Sequence, residues 1–122
     1  MSARDKIRSL TLGQAAKFRS EVVNIDGVDF EVRQPSIAGR STLLKMAGVK
    51  ADTESAQNID ITRMQVLVVI HMTYVPGTNE RVFDAADEAA LCEYPTGSFV
   101  DQLAAVGMRL LNVKVEETAA KN

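Results

Sequence analysis

The side chains of this sequence best suited to nucleophilic chemistry are its single cysteine and its single histidine, Cys92 and His71. A thiol nucleophile needs a neighbouring base and a third group that orients the base. The two residues lie on different predicted helices, so only the fold could bring them together. The simpler interpretation gives both residues structural roles, with Cys92 as a small hydrophobic side chain and His71 on the apolar stripe of a central helix.

Other residue types offer little further chemistry. Asp84, Asp87 and Glu88 are close in sequence, but a cation site would need more ligands converging from elsewhere. These three residues lie at the predicted start of a helix, where negative charge stabilises the N-terminus. That structural role accounts for their grouping in the sequence. One cysteine without Cys/His spacing makes neither an internal disulfide nor a zinc site. Residues 39–42, Gly-Arg-Ser-Thr, lack the spacing of a phosphate-binding loop. The sequence therefore predicts no catalytic residue, cofactor or metal.

Composition narrows the class of protein. Of the 122 residues, 46% are hydrophobic and 25% are charged, so we expect one globular domain spanning residues 1–122. The net charge of −2 and the lack of a Lys/Arg cluster argue against nucleic-acid binding, including a DNA-binding regulator. Met1 to Leu12 lacks the apolar core of a signal peptide, and no apolar run approaches the roughly 20 residues that span a bilayer. We expect a cytoplasmic protein without a membrane partner.

The clearest local pattern is a β-hairpin between Phe18 and Gln34. Asp26-Gly27 readily takes the positive φ angles of a two-residue type I′ turn, and it separates two runs that favour strands. A lone hairpin is marginal in water, so its apolar face must pack on the helices that follow. The turn predicts the pairs Ile25–Val28, Val23–Phe30 and Glu21–Val32 on one face, and Asn24–Asp29, Val22–Glu31 and Ser20–Arg33 on the other.

Helical segments are predicted on both sides of this hairpin. The resulting fold class is α+β and mainly α-helical, with an N-terminal β-hairpin packed on a small bundle of about four helices. We expect a loop at Val49 to Asn58, a turn at Pro76 to Asn79, and mobile ends at residues 1–16 and 114–122. The predicted helices are Ser2 to Ala16, Ser36 (as N-cap) to about Ala47, Asp60 (as N-cap) to Tyr74, Ala85 to Glu93 capped by Asp84, and a last helix opened by Ser98 with Asp101 in a capping box.

The helix that begins at Asp60 is apolar on nearly all sides, which is typical of a buried helix. A chain this small has few elements to cover it, and the excess of apolar surface predicts partner binding or self-association. Arg40 falls within an apolar arc, where it either packs its stem and keeps its head in water or pairs across an interface. The candidate partner-binding residues are Arg40, Met64, Val68, Met72, Leu103 and Leu110, of which the apolar ones fit a core role equally well.

The order of features resembles a known family. Residues 80–84 (Glu-Arg-Val-Phe-Asp) lead into an acidic helix with Asp87 and Leu91, then Pro95, then a helix with Leu103-Ala104 and Leu110-Leu111-Asn112. The hairpin followed by Arg33-Gln34-Pro35-Ser36 and a helix fits the same group. Over most of Phe18 to Asn112, the chain resembles the tail assembly chaperones of long-tailed (siphophage-type) bacteriophages or a related prophage.

This resemblance implies a non-catalytic protein that binds and solubilises the tape-measure protein while the tail tube assembles. A tape-measure protein is a long, largely helical chain whose apolar stripes aggregate unless they are covered. The chaperone would act in the cytoplasm of the bacterial host and would be absent from the mature virion. The family also implies a longer product, made by a ribosomal frameshift, that recruits the major tail tube protein. Ala120-Lys121-Asn122 is compatible with slippery codons at that point.

Two other classes of protein stay open at this stage. A structural virion component, such as a tail or head–tail completion protein, would bury the same apolar surface permanently and would be found in purified particles. A small enzyme would have to use His71 or Cys92, and the scattered titratable residues argue against it.

Overall fold

The computed structural model describes residues 2–48 and 60–112. The expected loop at Val49 to Asn58 and the expected tail at 114–122 therefore lie outside the described residues. Within these ranges the fold is α+β and mainly helical, as predicted. The elements are α1 (Ala3–Thr11), β1 (Ser20–Ile25), β2 (Val28–Arg33), α2 (Ile37–Met46), α3 (Ile61–Met72), β3 (Thr73–Tyr74), a 3₁₀ turn (Ala85–Asp87), α4 (Glu88–Cys92) and α5 (Phe99–Leu111).

The hairpin forms as the sequence predicts. Asp26 and Gly27 both have positive φ angles, of 53° and 83°, which is the conformation of a type I′ turn. Every predicted cross-strand pair is present, from Ile25 opposite Val28 to Ser20 opposite Arg33. Val32 and Ile25 are buried, but Val28 is exposed beside the turn. The apolar face of the hairpin is therefore covered unevenly, although its register is as expected.

A third strand corrects the predicted end of the central helix. Helix α3 ends at Met72, two residues before the expected end at Tyr74, and Thr73–Tyr74 pairs antiparallel with β2. A β-branched residue and an aromatic residue favour extended backbone, and Pro76 follows closely. The open edge of β2 supplies the hydrogen-bonding partners. The sheet order is β1-β2-β3, and Val75 belongs to the turn that follows β3.

Helix α3 forms the centre of the hydrophobic core. It contacts α2, α4 and α5, while α5 also packs on β1 and β2. The prediction that α3 is buried on nearly all sides is confirmed. The buried apolar residues of α3 and α5 are Met64, Val66, Leu67, Val68, Val69, Ile70, Met72, Val100, Leu103, Ala104, Leu110 and Leu111.

Gly107 marks the closest approach between α5 and α3. A Cβ atom at this position would lie 2.2 Å from Cγ1 of Val68, and 3.7 Å from both Met72 and Val32. The three neighbours come from α3 and β2, so the absent side chain lets two helices and the sheet meet at one point. The helix tolerates this glycine because packing, rather than propensity, supplies most of its stability.

The helix starts follow the predicted caps, with one exception. Ser36 accepts a hydrogen bond from the Gly39 amide at 3.0 Å, and Asp60 accepts one from the Arg63 amide at 3.0 Å. Asp84 forms a capping box with Asp87. Ser98 occupies the N-cap of α5, but its side chain makes no capping bond, and Asp101 accepts from the Gly97 amide at 2.6 Å instead. The predicted capping box between Ser98 and Asp101 is therefore wrong, although Ser98 is the N-cap residue.

Two predicted apolar surfaces differ from expectation. Helix α1 spans Ala3–Thr11 with Ser2 as N-cap, which is shorter than the expected Ser2 to Ala16, and it buries none of its residues. Helical spacing puts Ile37 on the same side of α2 as Leu43, Leu44 and Ala47, but Ile37 is 81% exposed. It is the first residue of the helix, directly after the N-cap Ser36. Both features leave apolar side chains on the surface.

Thr73→Val is expected to raise the free energy of unfolding by about 1 kcal/mol, because a buried hydroxyl without a partner costs about 1–3 kcal/mol. Thr73 is fully buried opposite Val32, and its hydroxyl has no hydrogen-bond partner among the described residues. Urea denaturation of both proteins measures the change. Thr73→Ser is the control, since it keeps the hydroxyl and loses a methyl group, and it should be less stable than the parent. A valine variant less stable than the parent would contradict the expectation.

Candidate functional site

Two adjoining clefts lie beside the hairpin and helix α2. The larger has a volume of about 620 Å³ and lies between the base of the hairpin, α2 and the end of α3. The smaller, of about 250 Å³, reaches the end of α5 and shares four lining residues, Phe18, Gln34, Pro35 and Ser36. We call their union the basic groove. Its lining residues are Lys17, Phe18, Arg33, Gln34, Pro35, Ser36, Ile37, Gly39, Arg40, Thr42, Leu43, His71, Tyr74, Asn79, Arg81, Leu111 and Asn112.

One wall of the basic groove is held rigidly by Arg33. Its guanidinium lies 4.3 Å from the centre of the Tyr74 ring, donates to Glu31 at 3.0 Å and donates to Asn79 Oδ1 at 3.0 Å. It also donates to the backbone carbonyl of Thr78. A planar guanidinium can satisfy all these partners at once. Arg33 therefore joins β2 to β3 and to the turn that follows it.

Glu31 is the acidic partner of Arg33 in this wall of the groove. Its carboxylate accepts from Arg33 and also from the Gly77 amide at 2.8 Å. The hydrogen bond from Arg33, followed by the one from Gly77, lowers the pKa of the Glu31 carboxyl below its ordinary value of 4.5. Glu31 is thus ionised at neutral pH and neutralises Arg33, so this pair contributes little net charge to the groove.

His71 and Arg81 form the inner end of the groove. Arg81 Nη1 lies 3.4 Å from His71 Nδ1, and the Nε2 atom is buried without a hydrogen-bond partner among the described residues. Burial, and then the charge of Arg81, lower the pKa of His71 below its ordinary value of 6.5. A neutral ring can accept from Arg81 through Nδ1, whereas a protonated ring would face a like charge. The imidazole is therefore neutral at pH 7.

Folding stability is expected to fall as the pH drops from about 7 towards 5.5, because of His71. A histidine whose pKa is lowered by folding binds more protons in the unfolded chain than in the folded one. Its contribution to folding stability is therefore complete above the unfolded pKa, near 6.5. That stability is lost as the pH falls towards the folded pKa. His71 is the single histidine of the chain, and Glu31 loses its contribution only below pH 4.5. Urea midpoints at pH 7.5 and 5.5 measure the effect, and His71→Gln should reduce it. An equal fall in both proteins would contradict the assignment to His71.

Exposed apolar residues lie at the rim of the groove and on α1. Phe18 is 52% exposed although it lines both clefts, and Ile37 lines the smaller one. The Phe18 segment is fixed beside the groove by its neighbour, since the Arg19 amide donates to Gln34 Oε1 at 3.2 Å and the Gln34 amide donates to the Arg19 carbonyl at 2.8 Å. Ile7 and Leu10 of α1 are exposed as well. Both regions therefore present apolar side chains to solvent.

Charge is distributed unevenly along the chain. Residues 2–19 carry five basic and one acidic side chain, whereas residues 60–112 carry three Lys/Arg and seven Asp/Glu residues. Lys17, Arg33, Arg40 and Arg81 line the basic groove, and no acidic residue is among its described lining residues. The net charge of the whole chain conceals this separation. The groove can attract an acidic group by complementarity of charge.

The sequence-predicted binding residues divide between this surface and the core. Arg40 is half-buried in the smaller cleft and forms no ion pair among the described residues. The five apolar candidates, Met64, Val68, Met72, Leu103 and Leu110, are buried in the core. Binding through those five stays a prediction, and it would require the core to open.

The groove includes residues that sequence reasoning did not select. Phe18 lies before β1 and Ile37 is the first residue of α2, and at such positions periodicity gives little guide to burial. Arg81 and Tyr74 reach the groove through the third strand, which the sequence did not reveal. An apolar residue directly after an N-cap, as at Ile37, was the one available signal, because such a position often faces solvent.

The other candidates for chemistry do not converge. Cys92 is exposed at the end of α4 and is not among the lining residues of the groove that contains His71, which corrects the expectation of a small packed side chain. Asp84 and Asp87 cap the 3₁₀ turn, and Glu88 pairs with Arg63 at 3.3 Å. Within residues 2–48 and 60–112, no three His, Cys, Asp or Glu side chains are grouped as metal ligands, and no helix is long and apolar enough to cross a bilayer.

The fold is similar to that of the tail assembly chaperone of bacteriophage HK97. The likeness has a TM-score of 0.52 and 20% sequence identity, and it covers 88% of this chain and 99% of that one. No protein-family model matches this sequence, and no curated protein matches it either. The resemblance inferred from residues 18–112 is thus confirmed at the level of the fold.

Proposed function

We propose that this protein is a non-catalytic tail assembly chaperone of a long-tailed bacteriophage, which binds the tape-measure protein in the host cytoplasm and keeps it soluble. The observation that supports this most directly is the fold, whose likeness to the HK97 chaperone extends over nearly all of that chain. The proposal also accounts for apolar side chains on the surface of a small domain, since exposed apolar area marks binding sites.

The binding surface in this proposal is the basic groove together with α1. An amphipathic helix of the partner would bury its apolar stripe against exposed residues of the groove such as Ile37 and Phe18. The bound partner would thereby be prevented from aggregating through the same stripe. A side chain of the core need not move for this, because these residues are already exposed.

Co-expression tests the proposal. The tape-measure protein encoded beside this gene is produced in bacteria alone, with this protein, or with an unrelated protein of similar size, and its soluble fraction is measured. We expect a substantial soluble fraction, and a complex isolated through a tag on the tape-measure protein, only with this protein. Insoluble tape-measure protein in all three cultures would contradict the proposal. Recovery of this protein from purified phage particles would favour a structural virion component instead.

A longer form would extend the function. We propose that a ribosomal frameshift near codons 120–122 adds a segment that recruits the major tail tube protein. Mass spectrometry of products expressed from the native gene with its downstream DNA should reveal a minor, longer species with the same N-terminus. Silent changes to the Ala-Lys-Asn codons should remove that species and leave the 122-residue product. Detection of the short product alone in both cases would exclude the frameshift.

A further inference from the structure

We infer that the basic groove binds an acidic segment of the partner protein, in which carboxylates alternate with apolar side chains. The inference rests on the proposed function only in taking the partner to be a tail protein. Its basis is the composition of the groove, which combines exposed apolar groups with cationic groups that have no ion-pair partner within residues 2–48 and 60–112.

The cationic side chains of the groove differ in whether they already have an ion-pair partner among the described residues. Arg33 is committed to Glu31, Asn79 and the backbone of the following turn. Lys17, Arg40 and Arg81, in contrast, form no ion pair among the described residues. Three cations of one sign around a concave surface repel one another, and that repulsion is relieved when carboxylates bind. These three residues are therefore the recognition groups for negative charge.

The apolar groups determine what else the segment must carry. Phe18 and Ile37 line the groove and are 52% and 81% exposed. A purely acidic chain would leave them in contact with water, while a purely apolar chain would leave the cations without partners. A segment with both acidic and apolar side chains pairs with the cations and also covers the exposed apolar groups. Because Arg33 and the Arg19–Gln34 bonds already hold the walls in place, binding requires little ordering of the groove.

A peptide measurement tests the inference with the full 122-residue chain. The probe is a fluorescently labelled 14-residue amphipathic peptide with leucines on one face and glutamates on the other, and its counterpart has lysines in place of the glutamates. We expect the glutamate peptide to bind and the lysine peptide to bind at least about tenfold more weakly. Binding should weaken as salt increases, because ions screen exposed charges.

Charge-reversal variants locate the site. For Lys17→Glu and for Arg40→Glu we expect affinity for the glutamate peptide to fall about five- to tenfold, since each reversal turns an attraction into a repulsion. Lys45→Glu is the matched control, because Lys45 is exposed in the last turn of the same helix as Arg40 and does not line the groove. It changes the net charge equally and should alter affinity less than twofold. Circular dichroism confirms that all three variants are folded.

Several outcomes would overturn the inference. Equal binding of the two peptides, or equal losses in Arg40→Glu and Lys45→Glu, would mean that the groove does not recognise acidic segments. If the peptide binds only after residues 113–122 are removed, the occupant is the chain's own C-terminal segment. If Arg40→Glu lowers the oligomeric state, the occupant is a second copy. In the co-expression experiment, tape-measure protein that stays soluble with Arg40→Glu would overturn this inference but leave the proposed function standing. Tape-measure protein that is insoluble even with the parent protein would contradict the proposed function.

Discussion

Gly107→Ala is expected to lower the free energy of unfolding by about 2 kcal/mol, although alanine is the better helix former. The intrinsic preference for alanine contributes about 1 kcal/mol in its favour. Against this, the new methyl group would lie 2.2 Å from Cγ1 of Val68. Val68 is fully buried, and a β-branched side chain in a helix has one strongly preferred rotamer, so it cannot turn away. Overpacking costs about 1–3 kcal/mol and sometimes more. An approach of 2.2 Å to a side chain that cannot turn away puts this cost near the upper end, about 3 kcal/mol, so the net loss is about 2 kcal/mol.

A second substitution identifies the contact responsible. Val68→Ala removes the clashing methyl group, so the double variant Gly107→Ala/Val68→Ala should be more stable than the sum of the single effects by about 1–3 kcal/mol. Gly39→Ala in α2 is the control, because its nearest neighbours lie at 3.3 Å, and we expect a change within about 1 kcal/mol. Denaturant unfolding of the four variants gives all the values. A Gly107→Ala variant as stable as the parent would show that α5 can move away from α3.

Leu103→Ala is expected to lower the free energy of unfolding by about 3 kcal/mol, within the 2–5 kcal/mol usual for buried leucines. The side chain is 0% exposed and lies within the core between α5 and its neighbours. Its loss leaves a cavity in a close-packed interior. Ile37→Ala is the matched control, because it removes a similar side chain that is 81% exposed, and its effect on stability should be within about 0.5 kcal/mol.

The same two variants separate folding from binding. If the surface residues contact the partner, Ile37→Ala should reduce the fraction of tape-measure protein that stays soluble while its own denaturation midpoint is unchanged. Leu103→Ala, assayed below its denaturation temperature, should still keep the tape-measure protein soluble. The opposite result, with binding lost in Leu103→Ala and retained in Ile37→Ala, would restore the sequence-based prediction that core residues such as Leu103 contact the partner.

The hairpin could be predicted in full because its determinants are local. Asp26 and Gly27 impose the turn, and the turn then fixes each pair along the two strands. The helix starts at Ser36, Asp60 and Asp84 were predictable for the same reason, since a capping side chain reaches an amide only two or three residues away. The deep burial of α3 followed from its composition.

The groove could not be predicted because it depends on contacts between residues distant in sequence. Arg33 meets the turn after β3 more than forty residues later, and this contact is possible only once Thr73–Tyr74 has joined the sheet. The helical pattern of residues 61–72 continues without interruption into Thr73, so the pattern alone does not reveal the change to a strand. Burial of Leu103 and exposure of Ile37 are likewise decided by which neighbours the fold supplies.

Helix α1 buries none of its residues, so the stability of the domain depends little on its amino-acid sequence. A helix of nine residues that contributes nothing to the core opens and closes independently of the remainder, so its amides should exchange with solvent far faster than those of α3 and α5. Substitutions on its surface then change neither the folding rate nor the unfolding rate. Selection can therefore alter the sequence of this segment with little penalty in the stability of the domain to which it is attached.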